Sequence, residues 1–328
     1  DRSVEPGEAI QIMTGAPVPD GADAVVPVED SRIEETPEGR FVRLTPSEPV
    51  VAGLNVIRRG TSIRRGQAVL PVGRRLRPQE LGALAEMGRA HVSVHRRPRV
   101  AILATGDELV PIDVTPGPGQ IRNSNEMMLI AQVRRAGGEP ISLGVARDDR
   151  EDLRRHISEG LRYDVLLLSG GVSAGKLDLV PTQLEAAGVR NVFHKVRVRP
   201  GKPLWFGIRA DAPAARCYVF GLPGNPVSSM VCFELFVRMA LRRLMGVTPA
   251  EPHSIQATLT VEHVVAGNRP TYHPARLEWT ETGPQVTPIV WHGSFDLQAT
   301  KDANAMALFA EAGRTYAANE RIKVVPWD

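Results

Sequence analysis

The sequence has few cysteines, few lysines and no long hydrophobic run. Its 328 residues include two cysteines, Cys217 and Cys232, both within apolar stretches. That number excludes a disulfide framework and predicts buried free thiols in a reducing cytoplasm. No stretch approaches the ~18 consecutive apolar residues of a membrane-spanning helix, and no signal-peptide pattern is present, so we expect no membrane partner.

The chain also has no large excess of positive or negative charge, since its net charge is only +3. Five of the 40 basic residues are lysines and the other 35 are arginines, which are scattered among acidic residues. No helix-turn-helix, zinc-ligand or RNA-binding pattern accompanies them, so no nucleic-acid partner is predicted. Three of the five lysines, Lys176, Lys195 and Lys202, lie in one short stretch beside a glycine-rich segment.

The alternation of strand-like and helix-like segments predicts an α/β fold, with a central, mostly parallel sheet carrying helices on both faces. Helix starts are predicted at Asn123, Asp149 and Asn225-Pro226, and a short helix after Pro181. Smaller β-rich domains and a helical connector flank the sheet. The predicted divisions are a β-rich domain at 1–62, a helical connector at 63–97, the α/β domain at 98–247 and a C-terminal β-domain at 248–328.

The stretch "SGGVSAGKLD" (169–178) resembles a phosphate-binding P-loop in all but its last position. A P-loop needs a hydroxyl after its lysine to hold Mg²⁺, and Leu177 cannot supply one. The stretch therefore favours a phosphate cradle of glycines followed by Asp178 as a metal-facing carboxylate. In that interpretation Lys176 projects to solvent, and Lys176→Ala changes activity only slightly.

Several carboxylates follow predicted strands, and the carboxyl ends of parallel strands meet at one edge of a sheet. Glu108 follows the first strand, Asp148 the second and Asp178 the third. Clustered carboxylates repel one another unless a hard cation lies among them, and Mg²⁺ prefers one or two carboxylates plus phosphate oxygens. Backbone N–H groups of "SGGVS" and "PGNP", at the starts of helices, suit a phosphate or another oxyanion. Taken singly, each of these features is also compatible with a plain tight turn or a helix cap.

Seven stretches together resemble the molybdopterin molybdenumtransferases, the MoeA-type enzymes that are similar to the E domain of gephyrin. In chain order they are "GEAIQIMTGAPVPDGADAVV", "ATGDEL", "GQIRNSN", "GVARDD", "SGGVSAGKLD", "RPGKP" and "GLPGNPVS". The resemblance covers nearly the whole chain and implies a molybdopterin-binding-like α/β domain. It implies insertion of molybdenum from molybdate into adenylyl-molybdopterin with release of AMP, a Mg²⁺ cofactor, a homodimer and contact with the molybdopterin adenylyltransferase.

The resemblance also assigns residues. The implied catalytic residues are Thr14, Glu108, Asp148, Asp178, Lys195 and Lys202, of which Glu108 and Asp178 are the implied metal ligands. The implied substrate-binding residues are Ser169, Gly170, Gly171, Ser173, Arg199, Pro223, Gly224, Asn225, Pro226 and Ser228.

Three departures from the family pattern stand out. Ser62 and Arg199 replace the acidic residue and the lysine that are common at those positions. A Ser-Ala-Met-Asp-Gly-Tyr-Ala stretch is absent, which implies that part of the first domains is missing and that activity depends on it. The alternatives are a molybdopterin adenylyltransferase, which needs only the α/β domain, and a non-catalytic molybdopterin-binding scaffold, which has no need of the carboxylates. Molybdate and tungstate are not distinguished, because the two oxyanions have nearly equal size and charge.

Overall fold

The computed structural model describes residues 3–172, 179–210 and 216–327. The predicted site residues Ser173 and Asp178, and also Lys176, lie outside the described residues. The chain divides into two compact units, Asp1–Val72 and Gly73–Asp328. The finer division into four domains stays a prediction.

The first unit is formed mainly of turns. Its regular elements are a 3₁₀ turn (Val28–Asp30) and one antiparallel hairpin of β1 (Ser31–Thr36) and β2 (Gly39–Leu44). Strand β2 confirms the strand predicted from "RFVRLT", whereas the stretch "ADAVVPVED" is not a strand and ends in the 3₁₀ turn. Pro27 within that stretch has no backbone N–H to donate to a ladder, which explains the error.

The second unit begins with a helix and a six-stranded sheet with helices between its strands. In chain order its elements are α1 (Pro78–Glu86), β3 (Arg99–Thr105), β4 (Leu109–Val110), β5 (Ile121–Arg122), α2 (Ser124–Arg135), β6 (Glu139–Ala146), α3 (Arg150–Gly160), β7 (Val165–Ser169), α4 (Leu179–Ala186), β8 (Arg190–His194), β9 (Trp205–Ala210), β10 (Arg216–Leu222), α5 (Pro226–Cys232) and α6 (Arg238–Leu244). The predicted α/β fold is confirmed.

The sheet has the strand order β6-β3-β7-β10-β9-β8. Strands β6, β3, β7 and β10 pair in parallel, and β9 pairs antiparallel with both β10 and β8. All the strands except β9 therefore run in one direction, as predicted. Since β3 and β7 are neighbours, their carboxyl ends and the loops that follow them lie side by side.

Alternate residues of the central strands face opposite layers of helices. Leu103 and Leu168 pack with α3 and α4, whereas Ile102 and Leu167 pack with α2, α5 and α6. These strand residues are fully buried, which is why the strands read as continuous apolar runs in the sequence. The helices therefore cover both faces and hold the strand ends rigidly.

The predicted helix starts are mostly confirmed. The Asn123 side chain accepts from the Glu126 amide, and Asp149 accepts from the amides of Glu151 and Asp152. The helix predicted after Pro181 begins earlier, at Leu179 in α4, because proline fits the first turn of a helix.

The helix predicted from Asn225 to Met245 is continuous but not uniformly α-helical. A π-helical turn (Phe233–Val237) joins α5 to α6. Asn225 occupies the N-cap position, yet its side chain accepts no capping hydrogen bond. The π-turn carries the buried Glu234, which pairs with Arg135 and Arg238 and accepts from the Gln132 amide at 2.7 Å.

The last part of the chain is β-rich, as predicted, and forms a closed barrel of strands in the order β11-β14-β13-β15-β17. The strands are β11 (Ile255–Leu259), β12 (His263–Val264), β13 (Thr271–Thr280), β14 (Gly283–Pro288), β15 (Ala305–Phe309), β16 (Thr315–Tyr316) and β17 (Arg321–Pro326). Both cysteines are free and buried, as predicted, and burial raises the pKa of each thiol to about 12. Within the described ranges, no helix is long and apolar enough to cross a membrane.

Candidate functional site

An open cleft of about 1250 Å³ lies at the carboxyl ends of β3, β7 and β10. The loops that follow these strands form its floor, and residues 291–298 of the C-terminal domain line it as well. A ligand at this position meets backbone amides of several loops, which is the usual place for a ligand in an α/β sheet.

The first glycine-rich turn follows β7. Gly170 has a φ of +98° and Gly171 a φ of +63°, values that side chains rarely adopt. A Cβ on Gly170 would lie 2.7 Å from the Thr105 carbonyl oxygen, and one on Gly171 would lie 2.7 Å from a methyl carbon of Val180. The turn therefore needs glycine at both positions for conformation and for space.

The second glycine-rich turn, Pro223–Pro226, follows β10 and contacts the first. The Gly170 amide donates to the Leu222 carbonyl oxygen at 3.1 Å, and a Cβ on Gly224 would lie 3.8 Å from the Gly170 Cα. Both turns line the cleft. Two closely packed turns of this kind present backbone to an oxyanion from two sides.

Asn125, which the sequence interpretation did not select, connects the two turns. Its side-chain amide donates to the Ser169 hydroxyl at 2.9 Å and to the Gly224 carbonyl oxygen at 2.7 Å. Asn125 is the second residue of α2 and lines the cleft. The only sequence signal for it was its place in "GQIRNSN", since a single asparagine near a helix start is more often a cap.

Two predicted carboxylates, Glu108 and Asp148, line the same cleft. Glu108 lies so close above Gly106 that a Cβ there would be 2.4 Å from a carboxylate oxygen. The Asp148 amide donates to the Asp107 carboxylate at 3.3 Å, which ties the loop after β6 to the loop after β3. Both side chains are exposed, as a group that meets a ligand must be.

The described side chains that line the cleft offer only a few carboxylate ligands for Mg²⁺. Residues 3–172, 179–210 and 216–327 contain no cluster of three or more histidine, cysteine, aspartate or glutamate side chains able to hold a metal ion. Mg²⁺ does not need such a cage, because it is bound by one or two carboxylates together with substrate phosphates and water. Glu108 and Asp148 are suited to that mode.

Cationic side chains also line the cleft. They belong to Arg122, Arg199, Lys202 and Arg269. Arg199 is held by a hydrogen bond to the Ala266 carbonyl oxygen at 2.7 Å, and Arg269 by one to the Val198 carbonyl oxygen at 3.0 Å. Arg269 was not predicted, because it lies in the C-terminal domain and no motif marks it. Together these groups favour an anionic ligand.

The segment 291–298 is fastened to the second glycine-rich turn. Ser294 accepts the Asn225 side-chain amide at 2.9 Å, and its carbonyl oxygen accepts the Val227 amide at 3.0 Å. Within the segment, the Asp296 carboxylate accepts from the His292 ring and amide and from the Ala299 amide. The His292 side chain, followed by these amides, lowers the pKa of Asp296. Asn225 thus occupies the predicted N-cap position, but its side chain contacts the segment 291–298 instead of making a capping hydrogen bond.

Most of the described site residues predicted from the sequence meet in this cleft. Those that line it are Glu108, Asp148, Ser169, Gly170, Gly171, Arg199, Lys202, Pro223, Gly224, Asn225, Pro226 and Ser228. Lys195 is exposed and is not among the described residues lining it. Thr14 belongs to the first unit, and Ser173 and Asp178 lie outside the described residues. The roles of all these residues stay predictions.

Two family models match the chain. Residues 101–243 match the model described as "Probable molybdopterin binding domain", which covers the sheet and its loops. Residues 1–88 match "MoeA N-terminal region (domain I and II)".

Relatives match over nearly the full length. The chain is 32% identical to a molybdopterin molybdenumtransferase of Staphylococcus aureus and 33% identical to that of Bacillus subtilis, covering 99% of this chain and 75% and 74% of those proteins. A crystal structure of a molybdopterin biosynthesis MoeA protein from Pyrococcus horikoshii superposes with a TM-score of 0.78 at 31% identity, covering 99% of this chain and 77% of that one. The two family models and these relatives, which match over 99% of the chain, show that it belongs to the molybdopterin molybdenumtransferase family.

Proposed function

We propose that the chain transfers molybdenum from molybdate to the dithiolene of adenylyl-molybdopterin and releases AMP. The observation that carries the proposal is the pair of packed glycine turns in one cleft with Glu108, Asp148 and a cationic wall. A substrate with phosphate groups and an oxyanion co-substrate need this combination of backbone donors and cations.

The two turns bind the phosphates of the substrate. Their glycines let the backbone amides approach the phosphate oxygens closely, and Asn125 keeps the turns at a constant separation. Asn125 and the ends of β7 and β10 are hydrogen-bonded within the protein itself, and turns held in this way form a preorganised site.

Arg199 and Lys202 attract molybdate and offset the phosphate charge. Both are exposed on the cleft wall, where an anion reaches them without crossing the protein. Arginine keeps the charge that lysine commonly supplies at position 199, but its planar group recognises an oxyanion in a different geometry.

Glu108, Asp148 and Asp178 are the proposed holders of Mg²⁺, with the substrate phosphates completing its ligands. When bound, Mg²⁺ supplies positive charge to the phosphoanhydride that is cleaved on AMP release. Of these carboxylates, Glu108 and Asp148 line the cleft and would hold the ion there. Thr14 and Lys195 remain proposed contributors from other parts of the chain.

Reconstitution with the purified full-length protein tests the function. Adenylyl-molybdopterin, molybdate and Mg²⁺ are expected to give AMP and a pterin that retains molybdenum, measured by chromatography and elemental analysis. In parallel, molybdopterin and Mg-ATP are expected to give no adenylylated product. Adenylylation without molybdenum insertion would instead support an adenylyltransferase, and neither reaction would support a binding scaffold.

We also propose that the protein is a cytoplasmic homodimer that receives its substrate from the molybdopterin adenylyltransferase. No side chain in residues 3–72 is buried in a single copy of the chain, and apolar side chains such as Met13, Ile57 and Val72 are 79%, 84% and 100% exposed. A region of this size without a core needs further contacts to be stable. Sedimentation at micromolar concentration is expected to give twice the chain mass, and a monomer under these conditions would refute the dimer.

A further inference from the structure

Phe295 is an exposed aromatic side chain on the wall of the cleft. It is 64% exposed and lines the cleft together with the second glycine-rich turn. Trp291 also lines the cleft, but it packs against a buried cluster and its ring lies 5.2 Å from the His273 ring in an edge arrangement. Phe295 therefore offers a free aromatic face, whereas Trp291 is occupied by packing.

The backbone around Phe295 is fixed on both sides. Ser294 makes one hydrogen bond to Asn225 of the second glycine-rich turn and one to Val227 of α5, and Asp296 accepts three hydrogen bonds within its own turn. Gly293, with a φ of +133°, lies beside the ring, since a Cβ there would be 3.4 Å from the Phe295 Cε1. The backbone that carries the ring is thus held beside the phosphate-binding turns.

A planar heterocycle is the ligand group that such a ring recognises. Aromatic stacking tolerates different rings, because it depends on the π-face and not on a set of hydrogen bonds. The proposed substrate has two planar heterocycles, a pterin and an adenine, one on each side of its phosphates. A group held at the glycine turns brings one of these rings toward the neighbouring wall.

We propose that Phe295 is a further substrate-binding residue, whose ring stacks on a planar heterocycle of adenylyl-molybdopterin; this rests on the proposed function. The segment 291–298 is then part of the substrate site. The C-terminal domain contributes recognition of the substrate ring, and the sheet contributes recognition of the phosphates.

Equilibrium binding of two stable probes to the full chain tests the inference and identifies the ring. AMP carries the adenine and is followed by calorimetry, and 6-hydroxymethylpterin is followed by quenching of its fluorescence. Phe295→Ala and Phe295→Leu are expected to bind at least one probe about tenfold more weakly than the wild type. Phe295→Tyr keeps the aromatic face and is expected to bind within about twofold of the wild type.

Trp279→Ala serves as the control, because Trp279 is 73% exposed on β13 and is not among the described residues lining the cleft. It is expected to leave both affinities unchanged. Equal binding of both probes by wild type and Phe295→Ala would overturn the stacking. Molybdenum insertion by a wild-type chain that binds neither probe would also overturn it. A wild type that binds neither probe and inserts no molybdenum would overturn the proposed function itself.

Discussion

The two units of the chain differ most in the burial of their side chains. Strand β7 of the sheet is buried along its whole length, whereas no side chain in residues 3–72 is buried. The hairpin β1–β2 has an Arg43–Glu34 ion pair at 2.6 Å, but both side chains are exposed and such pairs contribute little to stability. The turns at the edge of the sheet are therefore anchored to buried strands, whereas the turns of the first unit have no buried side chains beneath them.

This difference concerns function as well as stability. At the sheet edge, glycines adopt positive φ in positions where a side chain would meet other atoms. In the first unit, Gly66 has a φ of +80° and a Cβ there would meet nothing within 4 Å. Gly21 of the first unit is also closely packed, since a Cβ there would lie 2.2 Å from the Val4 carbonyl oxygen. The comparison is therefore between Gly171 and Gly66, where equivalent substitutions are expected to differ in effect.

The largest effect is expected from Gly171→Val. The new side chain would clash with Val180 and with the Thr105 hydroxyl, 2.7 and 2.9 Å from its Cβ, and would shift the turn that is proposed to bind the phosphates. We expect a loss of molybdenum insertion of at least about 100-fold and an unfolding free energy lower by about 2–4 kcal/mol. Gly66→Val is the control, with backbone strain alone. Equal losses in the two variants, measured by turnover and urea unfolding, would remove the contrast between the units.

A smaller loss, confined to activity, is expected from Glu108→Gln. The amide keeps the size of the side chain but removes the charge that is proposed to hold Mg²⁺, so turnover should fall by about 100-fold. The midpoint of thermal unfolding should stay unchanged, because Glu108 is exposed. Glu34→Gln in the hairpin removes an equivalent charge and should leave turnover unchanged. Near-normal turnover of Glu108→Gln at limiting Mg²⁺ would show that the cation is held elsewhere.

Asn125→Ala is expected to have an intermediate effect. It removes both hydrogen bonds between α2 and the glycine turns, which should lower the unfolding free energy by about 1–2 kcal/mol and turnover about tenfold. The loss should appear mainly in kcat, because misplaced turns bind phosphate but align it poorly. Asn125→Asp keeps the shape and loses the donors, so it should show the same loss. If Asn125→Asp retained full kcat, the amide donors would have no role in alignment.

The smallest effect is expected from Glu80→Gln on α1. The Arg77 side chain, with Arg74, lowers the pKa of Glu80 from 4.5 to about 2. Because the folded pKa is lowered, the stabilisation is present above pH 4.5 and is lost as the pH falls toward 2. The variant should therefore melt below the wild type at pH 7, and the gap should close between pH 4.5 and 2. Glu86→Gln, an exposed position on the same helix, is the matched control for the loss of one carboxylate.

Much of the fold was predictable because its signals are local. The apolar run of β7 and the capping residues Asn123 and Asp149 each determine structure within a few residues of chain, so the local sequence pattern predicts them. The same reasoning failed for "ADAVVPVED", where the internal Pro27 outweighs strand-like composition. It also missed the π-turn, whose Glu234 pairs with Arg135 from α2, about a hundred residues away in the chain.

The sequence alone determined which residues reach the edge of the sheet, because strand order along the chain places Glu108, Asp148 and the glycine turns at carboxyl ends. Only the tertiary structure decided which of them share a cleft and what completes it. Asn125, Ser294 and Phe295 acquire their roles through contacts between distant parts of the chain. Such contacts leave no local pattern, because their geometry depends on how the barrel and the sheet pack.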